Sequence, residues 1–170
     1  MKMSSAVRRY EEEYLSIKGV DKQQIFHYRA LGKLWCEIIG DTDISDIDLA
    51  TISEFRSEMT TYGQHRCNNT IHNYLCNLRM MLKYWKLRGE NVIDYTLIPA
   101  PRKDPVIPAF LTAEEVDKMI SSTDTIRTKF IISILYASGI RVSELVQLNR
   151  DTIKDGMFTV IGKGRKPRIR

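Results

Sequence analysis

Prolines are concentrated in one short stretch of this 170-residue chain, PAPRKDPVIP, which spans residues 99–108. The stretch holds four of the five prolines. Because proline fixes φ and has no amide hydrogen to donate, a helix or a central strand cannot run through such a segment. The sequence therefore predicts a linker at 99–108, with one folded segment at 1–98 and a second at 109–170.

The segment 1–98 shows the apolar periodicity of amphipathic helices. The expected helices are one after Ser4 and Ser5, one from Asp21 to Gly40, one capped by Asp48, and one from about Asn69 to Gly89. The expected inward-facing residues are Tyr10, Tyr14 and Ile17 in the first helix, Ile25, Tyr28, Leu31, Trp35 and Ile38 in the second, and Ile71, Leu75, Leu78, Leu82 and Trp85 in the fourth. At the start of the third helix, Ile47 and Ile52 are spaced as a hydrophobic staple. Four such helices with short connections predict a small helical bundle.

The segment 109–170 begins with helical patterns and ends with strand patterns. Thr112 and Glu115 fit a capping box for a helix to about Ser121, and a second helix is expected at 125–138. From Met157 onward, MFTVI is β-branched and aromatic, GKG favours a turn, and PRIR predicts a returning strand. We therefore expect helices followed by the start of a small antiparallel sheet.

Positive charge is unevenly distributed along the chain, although the net charge is only +5. Residues 61–103 carry seven Lys or Arg against two Asp or Glu, and the final KGRKPRIR carries five cations and no acid. Such asymmetry favours a polyanionic partner, with nucleic acid first; the alternative is an ordinary solvated face. No apolar run approaches the roughly 20 residues that a membrane span needs. The start, MKMSSAVRRYEEEYL, has no apolar signal-peptide core.

The fourth predicted helix carries a polar and basic flank beside its apolar stripe. The flank contains His72, Cys76, Arg79, Lys83 and Lys86, and three asparagines lie at its start: Asn68, Asn69 and Asn73. A helix of this kind fits a DNA major groove, where amides read base edges and cations bind phosphates. The alternative is an exposed face without a ligand.

Histidines and cysteines near the start of the same helix have some features of a zinc site. The four residues are His65, Cys67, His72 and Cys76. They lie within one twelve-residue stretch, whereas structural zinc ligands usually come as tight pairs on opposed elements. Thiols and histidines without a metal are therefore the preferred interpretation. The three cysteines of the chain include no CxxC pair, which indicates reduced thiols in a cytoplasm.

Arg141 interrupts the largely apolar stretch ILYASGIRVSEL, where a charge is unfavourable unless it is paired or binds a ligand. It follows the helix-ending Gly139, and Glu144 is spaced to pair with it and orient its guanidinium. An arginine held in this way binds phosphate oxygens in a bidentate manner. Lys163 in the GKG turn can then act as a proton donor at the same site. The alternative is a surface ion pair worth about 0–1 kcal/mol beside a solvated lysine.

Two motifs in the second segment resemble those of the tyrosine recombinase family, which includes the phage integrases and the Xer-like recombinases. YASGIRVSELVQL is similar to the family's arginine motif with its acidic residue three positions later, and FTVIGKGRKPR is similar to the family's β-hairpin. PAFLTAEEVDKMI resembles the opening of the catalytic domain. NNTIHNYLCNLRMMLKYWKLRGENVIDYTL resembles the last helices of the N-terminal core-binding domain. The resemblance covers nearly the whole chain.

The resemblance implies a mainly α chain, in which a four-helix, SAM-like core-binding bundle (1–98) precedes a truncated α+β catalytic domain (109–170). It implies DNA cleavage and rejoining through a 3′-phosphotyrosine, without metal or small-molecule cofactor. In this scheme Arg141 binds the scissile phosphate, Glu144 supports Arg141, and Lys163 protonates the 5′-hydroxyl leaving group.

The implied partners are double-stranded DNA and, in the full-length protein, further copies of the chain assembled on DNA; no membrane is involved. The expected DNA contacts are Asn69, His72, Asn73, Arg79, Lys83 and Lys86 in the fourth helix, Arg102 and Lys103 in the linker, and Arg165 and Lys166 in the hairpin.

The chain also departs from the family pattern. The family's later His/Lys-x-x-Arg box, its His/Trp position and its nucleophilic tyrosine are not found, and no tyrosine follows Tyr136. We therefore expect a fragment that holds the core-binding domain and the first part of the catalytic domain, binds DNA, and does not cleave it. Two alternatives remain open: a naturally short, non-catalytic DNA-binding protein that occupies recombination sites, and a helical protein-interaction module.

Overall fold

The structure is a computed structural model that describes residues 1–61, 66–105, 107–149, 153–154, 157–161 and 167–169. The helices are α1 (Met3–Tyr10), α2 (Ser16–Lys18), α3 (Lys22–Ile38), α4 (Leu49–Thr61), α5 (Asn68–Leu87), α6 (Ala113–Ser121), α7 (Ile126–Ser138) and α8 (Val142–Leu145). The strands are β1 (Ile153–Lys154), β2 (Met157–Ile161) and β3 (Pro167–Ile169). The expected class, mainly α with a small antiparallel sheet, is confirmed. Two compact units divide the chain, a first unit at Met1–Val106 and a second unit at Ile107–Arg170.

The first unit is a helical bundle around one apolar core. Trp35, Phe55 and Trp85 are each 0% exposed and lie in this core. The expected caps are present, since Asp21 and Asp48 each accept a backbone amide 2.7 Å away, at the starts of α3 and α4. The predicted stripe of α5 is confirmed, with these residues at most 1% exposed: Ile71, Leu75, Leu78, Leu82 and Trp85.

The first helical region differs from the prediction at one side chain. Ile17 was expected to face inward with Tyr10, but it is 83% exposed, and Leu15 is buried at 1% exposed. A π-helical segment, Glu11–Leu15, separates α1 from α2. Because a π-turn contains one residue more than an α-turn, it rotates the following residues out of phase with α1. The prediction for Ile17 was wrong for this reason. In addition, α1 begins at Met3, before the two serines.

The second unit opens with α6, whose predicted capping box is confirmed: the Glu115 amide donates to Thr112 Oγ1 and the Thr112 amide donates to Glu115 Oε2. The sheet order is β1-β2-β3, and both pairings are antiparallel. A small buried cluster of Ile140, Phe158 and Val160 connects the residue before Arg141 with β2. No helix in the described part of the chain is long and apolar enough to cross a bilayer.

Candidate functional site

Arg141 lies in the turn between α7 and α8. The preceding helix ends at Gly139, whose φ of 61° lies in the left-handed region that glycine adopts without strain. Ile140 is then buried, and Arg141 takes the extended conformation of an N-cap residue (φ −77°, ψ 153°). The side chain of Arg141 is 58% exposed. The buried neighbour therefore fixes the turn, while the guanidinium remains accessible to a ligand.

Glu144 is the buried carboxylate that pairs with Arg141. It is 6% exposed, its Oε2 accepts the Arg141 backbone amide at 2.9 Å, and its Oε1 accepts Arg141 Nη1 at 2.9 Å. The backbone hydrogen bond, followed by the side-chain bond and the charges of the two nearby arginines, holds the pKa of Glu144 below its ordinary value of 4.5. Glu144 is therefore ionised at neutral pH and orients the guanidinium.

A second arginine, Arg168 on β3, also binds Glu144. Arg168 Nη2 donates to Glu144 Oε1 at 2.8 Å, and the Arg168 side chain is 38% exposed. Arg168 was not among the predicted site residues. Its register partner on β2 is Val160, which is buried, and directly paired residues project from the same face of a sheet. The alternation of side chains along β3 does not by itself predict that Arg168 lies on the face with Val160, because the pairing register has to be known.

Two guanidinium groups thus share one carboxylate, which leaves the cluster of Arg141, Glu144 and Arg168 with one surplus positive charge. A partly exposed guanidinium fixed by a buried anion is suited to binding phosphate oxygens, because its donors are already oriented. The predicted residues Lys163, Arg165 and Lys166 lie outside the described residues.

The basic flank of α5 contacts the segment that follows the helix. His72 Nδ1 lies 2.7 Å from the carbonyl oxygen of Pro101, so this nitrogen carries the hydrogen and donates it. The ammonium of Lys83 lies 5.6 Å from the ring centre of Tyr95. Lys86 Nζ donates to the carbonyl oxygen of Val92 at 3.3 Å. Three of the residues predicted to contact DNA therefore also have partners within the first unit.

Asn69 holds the linker against the start of α5. Its Oδ1 accepts the Asp104 amide at 2.9 Å and its Nδ2 donates to the Asp104 carbonyl at 3.3 Å. Arg102 and Lys103, between the two tethered positions, are exposed. The linker is therefore bonded to the helical bundle at Pro101 and Asp104, whereas the proline content predicted only an extended connection.

The other flank of α5 forms a groove with α3. Asn73 and Asn77 lie one helical turn apart on this flank, and Phe26, at the groove's edge, is 65% exposed. The groove has a volume of about 310 Å³ and is lined by Phe26, His27, Ala30, Thr70, Asn73, Tyr74 and Asn77. Only Asn73 of these was predicted. Asn77 could have been predicted from the sequence, because it lies one helical turn after Asn73 on the same polar side of α5.

Of the four histidines and cysteines that have some features of a zinc site, His72 and Cys76 are close, with 3.3 Å between His72 Nε2 and Cys76 Sγ. His65 lies outside the described residues. Within the described residues, no three His, Cys, Asp or Glu side chains are grouped to hold a metal ion. Cys36, Cys67 and Cys76 are free thiols.

Comparison with known proteins gives consistent results for both units. Residues 109–170 match the model of the phage integrase family. Tyrosine recombinases XerC from Staphylococcus aureus strains MSSA476 and MRSA252 are each 32% identical over 117 residues, which cover 64% of this chain and 39% of the relative. The matched region thus covers less than half the length of these curated relatives.

Similar solved structures show the same fold over the whole chain. A lambda integrase tetramer bound to a Holliday junction has a TM-score of 0.83 at 18% identity, covering 99% of this chain and 50% of the other. The Tn1549 transposon integrase in complex with transposon right end DNA has a TM-score of 0.75 at 17% identity, covering 100% of this chain and 57% of the other.

Proposed function

Because this chain belongs to the tyrosine recombinase (phage integrase) family, we propose that it binds double-stranded DNA at recombination sites and positions one phosphate at Arg141. In the complete reaction of the family, a tyrosine attacks this phosphate and a 3′-phosphotyrosine forms. Arg141 binds the non-bridging oxygens, Glu144 orients Arg141, and Lys163 protonates the 5′-hydroxyl that leaves. No metal or nucleotide is needed, since fixed positive charge stabilises the pentacovalent phosphate.

The observation that carries this proposal is the contrast in burial between Arg141 and Glu144. Glu144 is 6% exposed, while the side chain of Arg141 is 58% exposed. A surface ion pair would leave both groups solvated and mobile. Here the carboxylate is removed from solvent and bonded at both oxygens, so the guanidinium is oriented before any ligand arrives. Preorganised donors of this kind stabilise developing negative charge without further rearrangement.

We propose that the first unit binds DNA through the groove between α3 and α5. The amides of Asn73 and Asn77 are suited to base edges, and exposed Phe26 can contact a thymine methyl group. Arg79 on α5, with Arg102 and Lys103 in the linker, would bind phosphates. Asn69 and His72 would then serve mainly to hold the linker, since their polar atoms already bind Asp104 and Pro101.

The DNA-binding proposal is tested by the salt dependence and the sequence preference of duplex binding. Arg79→Ala should reduce the slope of log affinity against log salt by about 0.9, the value for one lost phosphate contact. Arg8→Ala, an exposed arginine on α1, is the control and should leave the slope unchanged. Asn77→Ala should change the consensus selected from randomised duplexes, whereas Asn91→Ala, an exposed asparagine after α5, should not. Equal slopes for all variants would contradict the proposal.

We further propose that the 170-residue chain binds DNA without cleaving it and so occupies recombination sites. The support is that no tyrosine follows Tyr136, which precedes Arg141 within α7. Incubation with a nicked duplex that traps covalent intermediates should give no protein–DNA adduct on a denaturing gel. An adduct would show that an earlier tyrosine is a nucleophile. The three free cysteines are compatible with a reducing cytoplasm as the site of action.

Self-association on DNA is proposed from the related structures, which are titled as a lambda integrase tetramer on a Holliday junction and a dimer on a COC′ core site. Sedimentation of the chain with duplexes that carry one or two binding sites tests it. Binding of the second copy should be tighter than that of the first. Independent binding to the two sites would contradict self-association of this chain.

A further inference from the structure

We propose that Arg168 is a positioning residue, which shares the charge of Glu144 and thereby keeps Arg141 available for phosphate. The inference deepens the proposed function, because it concerns the same phosphate site. Arg168 lies 27 positions after Arg141 in the chain and reaches the site from β3, on the far side of the hairpin segment that contains Lys163.

The two arginines share the Glu144 carboxylate through its Oε1 atom. Glu144 Oε1 accepts Arg168 Nη2 at 2.8 Å and Arg141 Nη1 at 2.9 Å, while Oε2 accepts the Arg141 amide. Each oxygen therefore has a partner, and only one side-chain nitrogen of Arg141 is bonded to the carboxylate. A carboxylate with a single arginine partner tends instead to take both nitrogens of the guanidinium fork. Sharing with Arg168 leaves the rest of the Arg141 fork to a ligand.

Arg168 also changes the net charge of the site. With Arg141 alone, Glu144 would neutralise the guanidinium and compete with a phosphate for its donors. With both arginines present, the cluster has a surplus positive charge at a position where the Arg141 side chain is 58% exposed. A second cation close to a buried anion strengthens anion binding at the first, since Coulomb energy rises where solvent is excluded.

The position of Arg168 in the sheet is unfavourable for a charged side chain unless it has a partner. Its register partner Val160 belongs to the small buried cluster, so Arg168 occupies the packed face of β3. Its Nε is buried and has no hydrogen-bond partner within the described residues. An unsatisfied buried donor is unfavourable, and an apolar side chain would fill the same space without it. The bond to Glu144 is the interaction that distinguishes arginine from an apolar residue here.

The bond between Arg168 and Glu144 also joins two elements of the second unit. The apolar contacts of Ile140 with Phe158 and Val160 connect the Arg141 turn with β2, and the bond from Arg168 to Glu144 connects β3 with α8. The strands on both sides of residues 162–166 are thus attached to the turn that carries Arg141. Arg168 supplies the polar attachment, so its removal should change the orientation of Arg141 as well as the stability of the sheet.

The experiment follows the Arg141 side chain and the Glu144 carboxyl group by NMR in the full 170-residue chain, with inorganic phosphate as the probe. Arg168→Met should weaken phosphate binding at the Arg141 Nε–Hε resonance about threefold or more and should raise the pKa of Glu144. Arg168→Lys should recover part of the affinity, because it restores the charge but not the fork. Arg127→Met, an exposed arginine on α7, is the matched control and should change neither quantity.

Two results would overturn the inference. One is an Arg168→Met protein that loses thermal stability but keeps the wild-type phosphate affinity and Arg141 resonance, which would make Arg168 structural only. The other needs no variant: in the wild-type chain, the Arg141 and Arg168 Nε resonances should both shift with the pH midpoint of Glu144. Failure of Arg168 to follow that midpoint would exclude the shared bond.

Failure of the proposed function gives a different pattern. It would appear as missing duplex binding or unchanged salt slopes in the Arg79→Ala test, while phosphate binding at Arg141 could still depend on Arg168. The two conclusions are therefore tested separately.

Discussion

Replacement of Gly32 by alanine tests how closely α1 and α3 approach each other. A Cβ atom at Gly32 would lie 2.9 Å from Val7 Cγ2, closer than real Cβ contacts, and 3.3 Å from Val7 Cβ, which is tighter than most of them. Val7 is 5% exposed, and as a β-branched residue in a helix it has one strongly preferred rotamer. Neither side chain can therefore move away without shifting a helix.

Two opposing effects determine the size of the change. Alanine is preferred to glycine inside a helix by about 1 kcal/mol, whereas overpacking a tight interface typically costs 1–3 kcal/mol. Because Val7 is stiff and buried, we expect the overpacking to dominate, with a net loss of about 1 kcal/mol in the free energy of unfolding. Urea unfolding followed by tryptophan fluorescence measures it, since both tryptophans, Trp35 and Trp85, are buried in the first unit.

The background variant Val7→Ala separates the two effects. It removes the Cγ atoms that the new methyl group would meet, so Gly32→Ala in that background should stabilise the unit by about 0.5–1 kcal/mol. The sign of the Gly32→Ala effect should therefore reverse between the two backgrounds. Stabilisation by Gly32→Ala in the wild-type chain would refute the reasoning, because it would mean that the helices separate at little cost.

Two further predictions concern the linker and the acidic residue of the phosphate site. Asn69→Ala should make the Asp104 amide exchange with solvent at least tenfold faster, because the amide loses its acceptor at 2.9 Å. Asn68→Ala is the control, since Asn68 donates to the Asp104 side chain and not to its backbone. Equal amide exchange in the two variants would contradict the bond between Asn69 and the linker. Because the folded pKa of Glu144 is lowered, its stabilising contribution is complete above its ordinary pKa of 4.5 and is lost as the pH falls through the lower folded value. On acidification, the Ile140 methyl resonances should show loss of packing in the second unit of the wild type, but no such change in Glu144→Gln. Identical pH profiles in the two proteins would show that Glu144 is not the group whose protonation destabilises the unit.

The local features of the fold could be predicted because each depends on residues a few positions apart. The caps at Asp21 and Asp48, the capping box of Thr112 and Glu115, and the apolar stripe of α5 follow from spacings of three and four residues. The pairing of Arg141 with Glu144 belongs to the same class, since only three positions separate them. Helical geometry makes such contacts almost independent of the rest of the fold.

The features that could not be predicted depend on contacts between distant positions or on a local change of helical period. The π-helical segment at Glu11–Leu15 shifts the phase of Ile17, and no simple periodicity shows where such a segment falls. The bonds from Asn69 and His72 to the linker join positions 35 and 29 residues apart. The spacing of Asn69 and His72 predicted contacts with DNA, whereas in the structure both side chains bind the protein's own linker.

Arg168 illustrates the same limit at the phosphate site, because its position depends on the register of the hairpin. Successive residues of a strand project from opposite faces, so a shift of one residue in the pairing of β3 with β2 would place Arg168 on the outer face, away from Glu144. The observed register places it opposite Val160, on the face that packs toward the Arg141 turn. The pairing register of β3 with β2 thus determines whether Glu144 has one arginine partner or two. A change in the hairpin that keeps Lys163 but alters this register would move Arg168 away from Glu144. Glu144 would then pair with Arg141 alone.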